Sequence, residues 1–247
     1  MKRNVTIGSW ITLNHLSIVE IMAKADFDWL CIDLEHSVID FYALQTMIAT
    51  VQAHGIKAYV RVSYNESVVI KRSLDAGADG LIIPRVNSAQ DARDAISYAR
   101  YPNKGARGVG LARAQNYGLD NGFEHYRDHV ADNIPVIVQI EHHRAIEELD
   151  EILAIDDLAG TFIGPYDMSG SVGKPGKFND PEIVQLLKRY DDITAMYPGK
   201  LKGYHVIKPD ASLVSEKIDL GYNFIAFSID TLFLGYKCRE ELEKVKK

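Results

Sequence analysis

Cysteine is scarce in this chain. Its 247 residues contain only Cys31 and Cys238, far apart, with no C-x-x-C and no metal-type spacing. That excludes a disulfide framework and a thiolate zinc site, and makes a reducing cytoplasm the expected compartment. No apolar run reaches the roughly 18 residues of a membrane-spanning helix. Lys2 and Arg3 are followed by no long apolar segment, so no signal peptide is expected. A basic surplus is missing too: 28 Lys and Arg stand against 34 Asp and Glu, a net charge of −6, and no basic cluster is interleaved with aromatics. Nucleic acid and membrane are therefore not expected partners. No Gly/Ser linker divides the chain, so 1–247 reads as one domain. No G-x-G-x-x-G follows the first apolar run, where Gly8-Ser9-Trp10 stands, which speaks against a doubly wound dinucleotide-binding sheet.

What is present is a rhythm. Short apolar runs alternate with longer amphipathic segments, predicting strands at 5–11, 29–33, 57–62, 80–83, 135–140, 160–163, 201–206 and 224–228. Helices are predicted at 15–24, 41–54, 66–75, 89–100, 144–153, 181–196, 211–220 and 232–245, several ended by glycine. A polar stretch, 101–132, interrupts the alternation, and a Gly/Pro-rich loop is expected up to Phe178. Eight parallel strands with crossover helices close most simply into a (β/α)8 barrel, whose chemistry sits at the C-terminal ends of the strands.

Polar groups gather at those ends. The second strand leads into Asp33-Leu34-Glu35-His36, the third ends at Arg61 and the fourth runs into Pro84-Arg85. The fifth carries Gln139 and Glu141, the sixth leads to Gly164-Pro165-Tyr166-Asp167, the seventh has His205, and the eighth Ser228 and Asp230. A carboxylate at the mouth of a buried strand is costly unless something positive meets it. Each alone has an ordinary reading, Glu141 as a helix cap and Asp167 as a turn residue. The pair, one strand apart, points to a divalent metal with oxygen ligands and open positions. Asp33 is close enough in sequence to hold one imidazole nitrogen of His36 and leave the other for proton transfer. Arg61 has two readings: an ion-pair partner of Asp33 or Glu35, or a planar fork for the oxyanion of an α-keto acid. Lys57, Lys71 and Lys202 lie on or beside the elements without the marks of a Schiff-base lysine.

These residues resemble the HpcH/HpaI class II aldolases, which cleave 4-hydroxy-2-oxo acids. The resemblance is carried by Asp33-Leu34-Glu35-His36, Val60-Arg61-Val62, Ile83-Pro84-Arg85-Val86, Tyr101-Pro102 with Gly105-Ala106-Arg107-Gly108-Val109-Gly110, Val138-Gln139-Ile140-Glu141 and Phe162-Ile163-Gly164-Pro165-Tyr166-Asp167-Met168-Ser169, in that order. It implies a (β/α)8 TIM barrel of the phosphoenolpyruvate/pyruvate superfamily. It implies Mg²⁺, Mn²⁺ or Co²⁺ on Glu141 and Asp167, with pyruvate placed there through its carboxylate and keto oxygens. Arg61 would contact the keto oxygen, Gln139 would support the bound ligands, and the loop Gly164, Pro165, Tyr166 and Asp167 would bind substrate, the N–H groups of the last two holding the carboxylate. His36, oriented by Asp33, would be the acid/base. The small-molecule partners implied are pyruvate or another 2-oxo acid and an aldehyde. A homo-oligomer is implied as well, a hexamer or trimer of dimers in which the last helix, 232–245, is exchanged. The chain departs from the pattern at Leu34, Arg85, Asn103 and Tyr166, where relatives often carry Gly, Met, Pro and Ala. Arg85, Tyr166 and the stretch 107–114 are thereby expected around the aldehyde pocket. Citrate-lyase-like cleavage of CoA esters, oxo-acid decarboxylation and a non-catalytic barrel are the alternative readings.

Overall fold

A computed structural model describes residues 5–246; Lys2 and Arg3 lie outside the described residues. Eight strands form one closed parallel barrel in chain order. They are β1 (Thr6–Ile11), β2 (Trp29–Asp33), β3 (Lys57–Arg61), β4 (Gly80–Ile83), β5 (Val136–Ile140), β6 (Gly160–Ile163), β7 (Leu201–Val206) and β8 (Phe224–Ile229). The predicted strands match these within a residue or two at either end.

Helices α1 (Leu16–Ala23), α2 (Phe41–Ala53), α3 (Ser67–Asp75) and α4 (Ala89–Ala99) follow the first four strands. After the short α5 (Gly122–His125) come α6 (His143–Glu147), α7 (Leu149–Leu153), α8 (Pro165–Ser171), α9 (Pro181–Thr194), α10 (Ala211–Asp219) and α11 (Asp230–Val245). Asp40, Ser88, Asp180 and Asp210 cap α2, α4, α9 and α10 by accepting first-turn N–H bonds. Among the described residues no helix is long and apolar enough to cross a membrane.

Strand side chains alternate faces, and that parity builds the site. One set points outward and packs, as Leu30, Ile32, Val60, Val138 and Ile140, against the helices. The other points inward, where Trp10, Trp29, Cys31, Ile82, Ile137, Phe162 and Phe224 fill the barrel. Trp29 stacks on Phe224 at 4.2 Å between ring centres, and Trp10 meets Phe162 edge-on at 5.9 Å. Gly8 leaves room for this plug, since a Cβ there would lie 2.0 Å from the Trp29 ring. Continuing each inward series toward the strand's C-terminal end gives Asp33 after Cys31, Arg61 after Tyr59, Gln139 and Glu141 after Ile137, and His205 on β7. The polar residues thus stand on an apolar floor.

Three expectations are corrected. The predicted helix 144–153 is two helices with a break at Glu148, whose carboxylate is diverted to accept the Ala89 N–H at 2.8 Å. The loop expected from Gly164 opens instead as α8, with Pro165 at its first position, where a missing N–H costs nothing. The stretch 107–114 does not shape the mouth of the barrel. Buried Arg107 is tied to Asp75 at 2.7 Å and to the Tyr126 hydroxyl at 2.9 Å, and Arg113 donates to the Ala76 carbonyl at 3.1 Å, just before β4.

Candidate active site

A cavity of about 460 Å³ opens over the C-terminal ends of the strands. Asp33, His36, Arg61, Gln139, Glu141, Gly164, Pro165, Tyr166 and Asp167 all line it, so every residue singled out for the site by sequence reaches one space. A larger hollow of about 750 Å³ lies at the opposite end of the barrel, beside Lys57, Asp79 and Arg113. It holds no pair of carboxylates, and volume alone does not locate the chemistry.

Glu141 is buried, and its Oε2 accepts the Arg85 N–H at 2.9 Å. A Cβ on Gly164 would fall 2.7 Å from the Glu141 Cγ, so only glycine lets β6 pass this close. Burial pushes the Glu141 carboxyl up to about 7, with Glu35 and Asp167 adding repulsion against the Arg85 N–H. Burial likewise pushes Glu35 up to about 7 despite Arg61, again with Asp33 and Asp167 nearby. Negative charge is therefore crowded around two adjoining cavities, since Glu35 lines a second hollow that shares His36, Glu141 and Asp167 with the first. The Gln139 Oε1 is buried without a hydrogen-bond donor, and the Glu35 Oε2 makes no hydrogen bond, its charge met by Arg61 Nη1 at 3.4 Å.

These features fit a hard divalent cation: the donors are oxygens, the carboxylates repel one another, and polar atoms stand unpartnered. Among the described residues no three His, Cys, Asp or Glu side chains are arranged to close on one ion.

Asp33 occupies a different place from the one its spacing to His36 suggested. It is 1% exposed, and its two oxygens accept from Arg61 Nε at 2.8 Å and Nη2 at 2.7 Å. Oδ1 also accepts the backbone N–H groups of Glu35 and His36, at 3.0 and 3.3 Å. The carboxylate thus holds the Arg61 fork and the turn after β2, and does not touch the His36 ring. That ring is exposed, and its Nε2 lies 3.8 Å from the Glu35 carboxylate. Arg61 lies over the Trp10 ring at 4.4 Å, with Nη1 3.4 Å from Glu35. The distances show Arg61 as the ion-pair partner of Asp33 and Glu35; a guanidinium has donors left after a bidentate pair.

Trp10 is a site residue that motif reading passed over, and parity could have found it, since it faces inward on β1.

His205 is half-buried beside Trp10, at 5.8 Å between ring centres, with Nε2 3.2 Å from the Ser228 carbonyl. Ser228 adopts a left-handed φ of 52° where the β1–β8 register slips, and this turns its carbonyl inward. Burial lowers the His205 imidazole to about 4, helped by the Arg61 charge and opposed by the Ser228 contact. The unfolded chain binds this proton more readily, so stability is full above about pH 6.5 and falls as pH drops toward 4. The loss from this one group is about 3 kcal/mol. We expect urea titrations between pH 7 and pH 4 to show a steeper fall for wild type than for His205→Asn; parallel curves would remove His205 from the acid response. Asp230 is structural. It accepts Thr12 N–H, Thr12 hydroxyl and Leu13 N–H bonds at 2.7–2.8 Å, tying β8 to β1.

The family model for HpcH/HpaI aldolase/citrate lyase matches residues 6–234. A 2-keto-3-deoxy-L-rhamnonate aldolase of Escherichia coli K12 is 35% identical over 248 residues, covering 99% of this chain and 90% of that protein. The crystal structure of an HpcH/HpaI aldolase/citrate lyase family protein from Burkholderia cenocepacia J2315 is 29% identical with a TM-score of 0.92, covering 99% of this chain and 96% of the other. An HpcH/HpaI aldolase from Desulfitobacterium hafniense DCB-2 is 26% identical with a TM-score of 0.88, covering 99% and 93%. The fold, the order of the site residues and these likenesses agree: the chain belongs to the HpcH/HpaI aldolase/citrate lyase family.

Proposed function

We propose that the protein is a divalent-metal-dependent aldolase that cleaves a 4-hydroxy-2-oxo acid to pyruvate and an aldehyde, and catalyses the reverse condensation. One observation carries this reading. Glu141, Asp167, Gln139 and Arg61 share a cavity that, among the described residues, no lysine lines. An amine for a Schiff base is absent from the walls, while hard oxygen donors are abundant. Lys202, the most buried lysine among the described residues, faces the helices and is paired with Asp191 at 2.6 Å.

Glu141 and Asp167 would hold Mg²⁺, Mn²⁺ or Co²⁺. When bound, the cation supplies Lewis acidity toward the 2-oxo acid and offsets the charge of its enolate. The chain's own groups do the rest. Tyr166 and Asp167 lie in the first turn of α8, where N–H groups have no intrahelical acceptor, and they receive the substrate carboxylate. Arg61, locked by Asp33, turns its remaining donors to the keto oxygen, where negative charge develops. The Gln139 amide fills the space between substrate and floor. His36 takes the C4 hydroxyl proton; the C3–C4 bond breaks, its electron pair passes into the enolate of pyruvate, and the aldehyde leaves. Protonation at C3 gives the pyruvate methyl group.

Pyruvate in D₂O tests the reading without an aldehyde. Methyl-proton exchange that needs Mn²⁺ or Mg²⁺ and stops with chelator supports it; no exchange under either condition would sink it. His36→Ala should keep its metal affinity and lose ~10²–10⁴-fold in aldol cleavage, the usual worth of a general acid–base. Calorimetry with Mn²⁺ beside a cleavage assay checks both halves. The same reading includes a cytoplasmic homo-oligomer, a hexamer or trimer of dimers with 232–245 exchanged. Leu234, Tyr236, Leu242 and Val245 stand exposed along α11, an apolar surface suited to a second copy.

A further inference from the structure

The large hollow at the opposite end of the barrel, about 750 Å³, takes no part in the chemistry at the mouth. One wall is the excursion between β4 and β5, which supplies Arg113, Asn116, His125, His129 and Asn133. Most polar side chains around the hollow are committed within the chain. Lys57 pairs with Asp79 at 3.1 Å, and Arg113 donates to Gln52 Oε1 at 2.7 Å. Asn116 and Asn133 donate to the Leu119 and His129 carbonyls, at 3.2 and 3.0 Å. Among the described residues the imidazoles of His125 and His129 make no hydrogen bond or ion pair, and their rings lie close together.

The two histidines are four residues apart, one ending α5 and the other in the wider π-type turn that continues it, Tyr126–Val130. That spacing sets both rings on one face, a turn apart. Tyr126 between them is buried and held by Arg107, which fixes the opposite face. The ring centres are 5.2 Å apart and the planes inclined at 52°. Two imidazole nitrogens each about 2.0–2.1 Å from one ion place their ring centres about 4.5–5.5 Å apart. The pair therefore stands at chelating distance. The backbone around it is unusual as well. A π-type turn inside a helix recurs at functional sites. Just ahead of it, Asn116, Tyr117, Asp120 and Asn121 all have left-handed φ values, from 48° to 57°. Such strain persists only where neighbouring structure holds it, and an ion clipped across the following turns would add to that hold.

We propose that His125 and His129 form a second metal site, for a borderline transition ion such as Zn²⁺, Ni²⁺ or Cu²⁺, which fastens the segment 122–130. Imidazole nitrogen suits these ions, whereas Mg²⁺ prefers the oxygen donors at the barrel mouth. The chain supplies two ligands, since no three His, Cys, Asp or Glu side chains among the described residues gather on one ion. The remaining positions are open to solvent. Two rings on one ion raise the affinity above that of a lone surface histidine, because the second ring binds intramolecularly. The site does not depend on the aldolase reading.

Cu²⁺ added to the untagged protein in excess Mg²⁺ tests the site, because its EPR spectrum counts the nitrogens on the ion. Wild type should bind one Cu²⁺ per chain with coupling to two imidazole nitrogens. His125→Gln and His129→Gln should each leave one nitrogen and weaken binding about 10²-fold. Both side chains are exposed, so without metal the variants should melt like wild type. With Ni²⁺ at about 100 times its dissociation constant, wild type should melt about 5–10 °C higher, and either variant should lose most of that rise. Cu²⁺ bound without imidazole coupling, or with two-nitrogen coupling that survives either substitution, sits elsewhere and overturns the site. Ni²⁺ bound by wild type with no rise in melting overturns the fastening role.

Discussion

Glu141→Ala removes divalent-cation binding and pyruvate exchange together, with activity falling on the order of 10³-fold or more, as expected when the charge that stabilises an enolate is lost. The residue is one of three carboxylates lining the cavity, with Asp33 and Asp167, and its Cγ lies against Gly164. Its second role complicates the alanine, since the Arg85 N–H loses its acceptor. Glu141→Gln separates the two effects: the amide oxygen still accepts that N–H, but the negative charge is gone. If charge is what matters, both variants fail alike in Mn²⁺ calorimetry and in the deuterium assay. Activity in a metal-free Glu141→Ala protein would end the metal assignment. Burial holds this carboxyl up to about 7, so cation uptake by wild type near pH 6 should release protons, and apparent affinity should weaken as pH falls below 7.

The second large effect is on stability. Asp33→Ala should cost about 3–5 kcal/mol, because it strands the Arg61 guanidinium where little water reaches it. The pair is 1% and 14% exposed at its two side chains and bonded through both carboxylate oxygens, which sets it apart from surface ion pairs. For a chain of this length the loss corresponds to a fall in Tm of about 10 °C. The partner matters more than the size. A double-mutant cycle should show strong coupling of Asp33 to Arg61 and little to His36. Strong coupling to His36 instead would restore the carboxylate–imidazole pairing suggested by their spacing. Asp33→Leu combined with Arg61→Met should recover much of the stability and none of the activity, since an apolar pair fills the space without binding an oxyanion.

The barrel could be read in advance because its signals are local. Eight apolar runs of strand length and eight amphipathic segments follow from periodicity, and closure follows from the need to bury both faces of parallel strands. The site could be read for the same reason. In Trp29-Cys31-Asp33 and Ile137-Gln139-Glu141, alternation places apolar residues in the barrel and the next inward residue at its mouth. Gly164-Pro165 followed by an acid also marks a chain turning sharply beyond a strand, although its continuation as α8 depends on first-turn and packing geometry that the Gly/Pro content hides.

Contacts across the barrel were decided elsewhere. Asp33 lies three residues from His36 and twenty-eight from Arg61, yet strand pairing puts it opposite Arg61 and the bidentate fit wins. Glu35 and Glu141 are pushed up to about 7 chiefly by burial, with repulsion among Glu35, Glu141 and Asp167 adding to it, and no local window contains that burial or those neighbours. Arg107, in a stretch expected around the aldehyde pocket, is buried elsewhere because α3 and the segment around Tyr126 fold over it. The sequence by itself determined which elements form, which side chains face inward and which chemical groups arrive at the mouth, since those depend on near neighbours in the chain. Only the tertiary structure decided which charge pairs with which and how deeply each is buried, since those depend on distances between strands that the chain order does not encode.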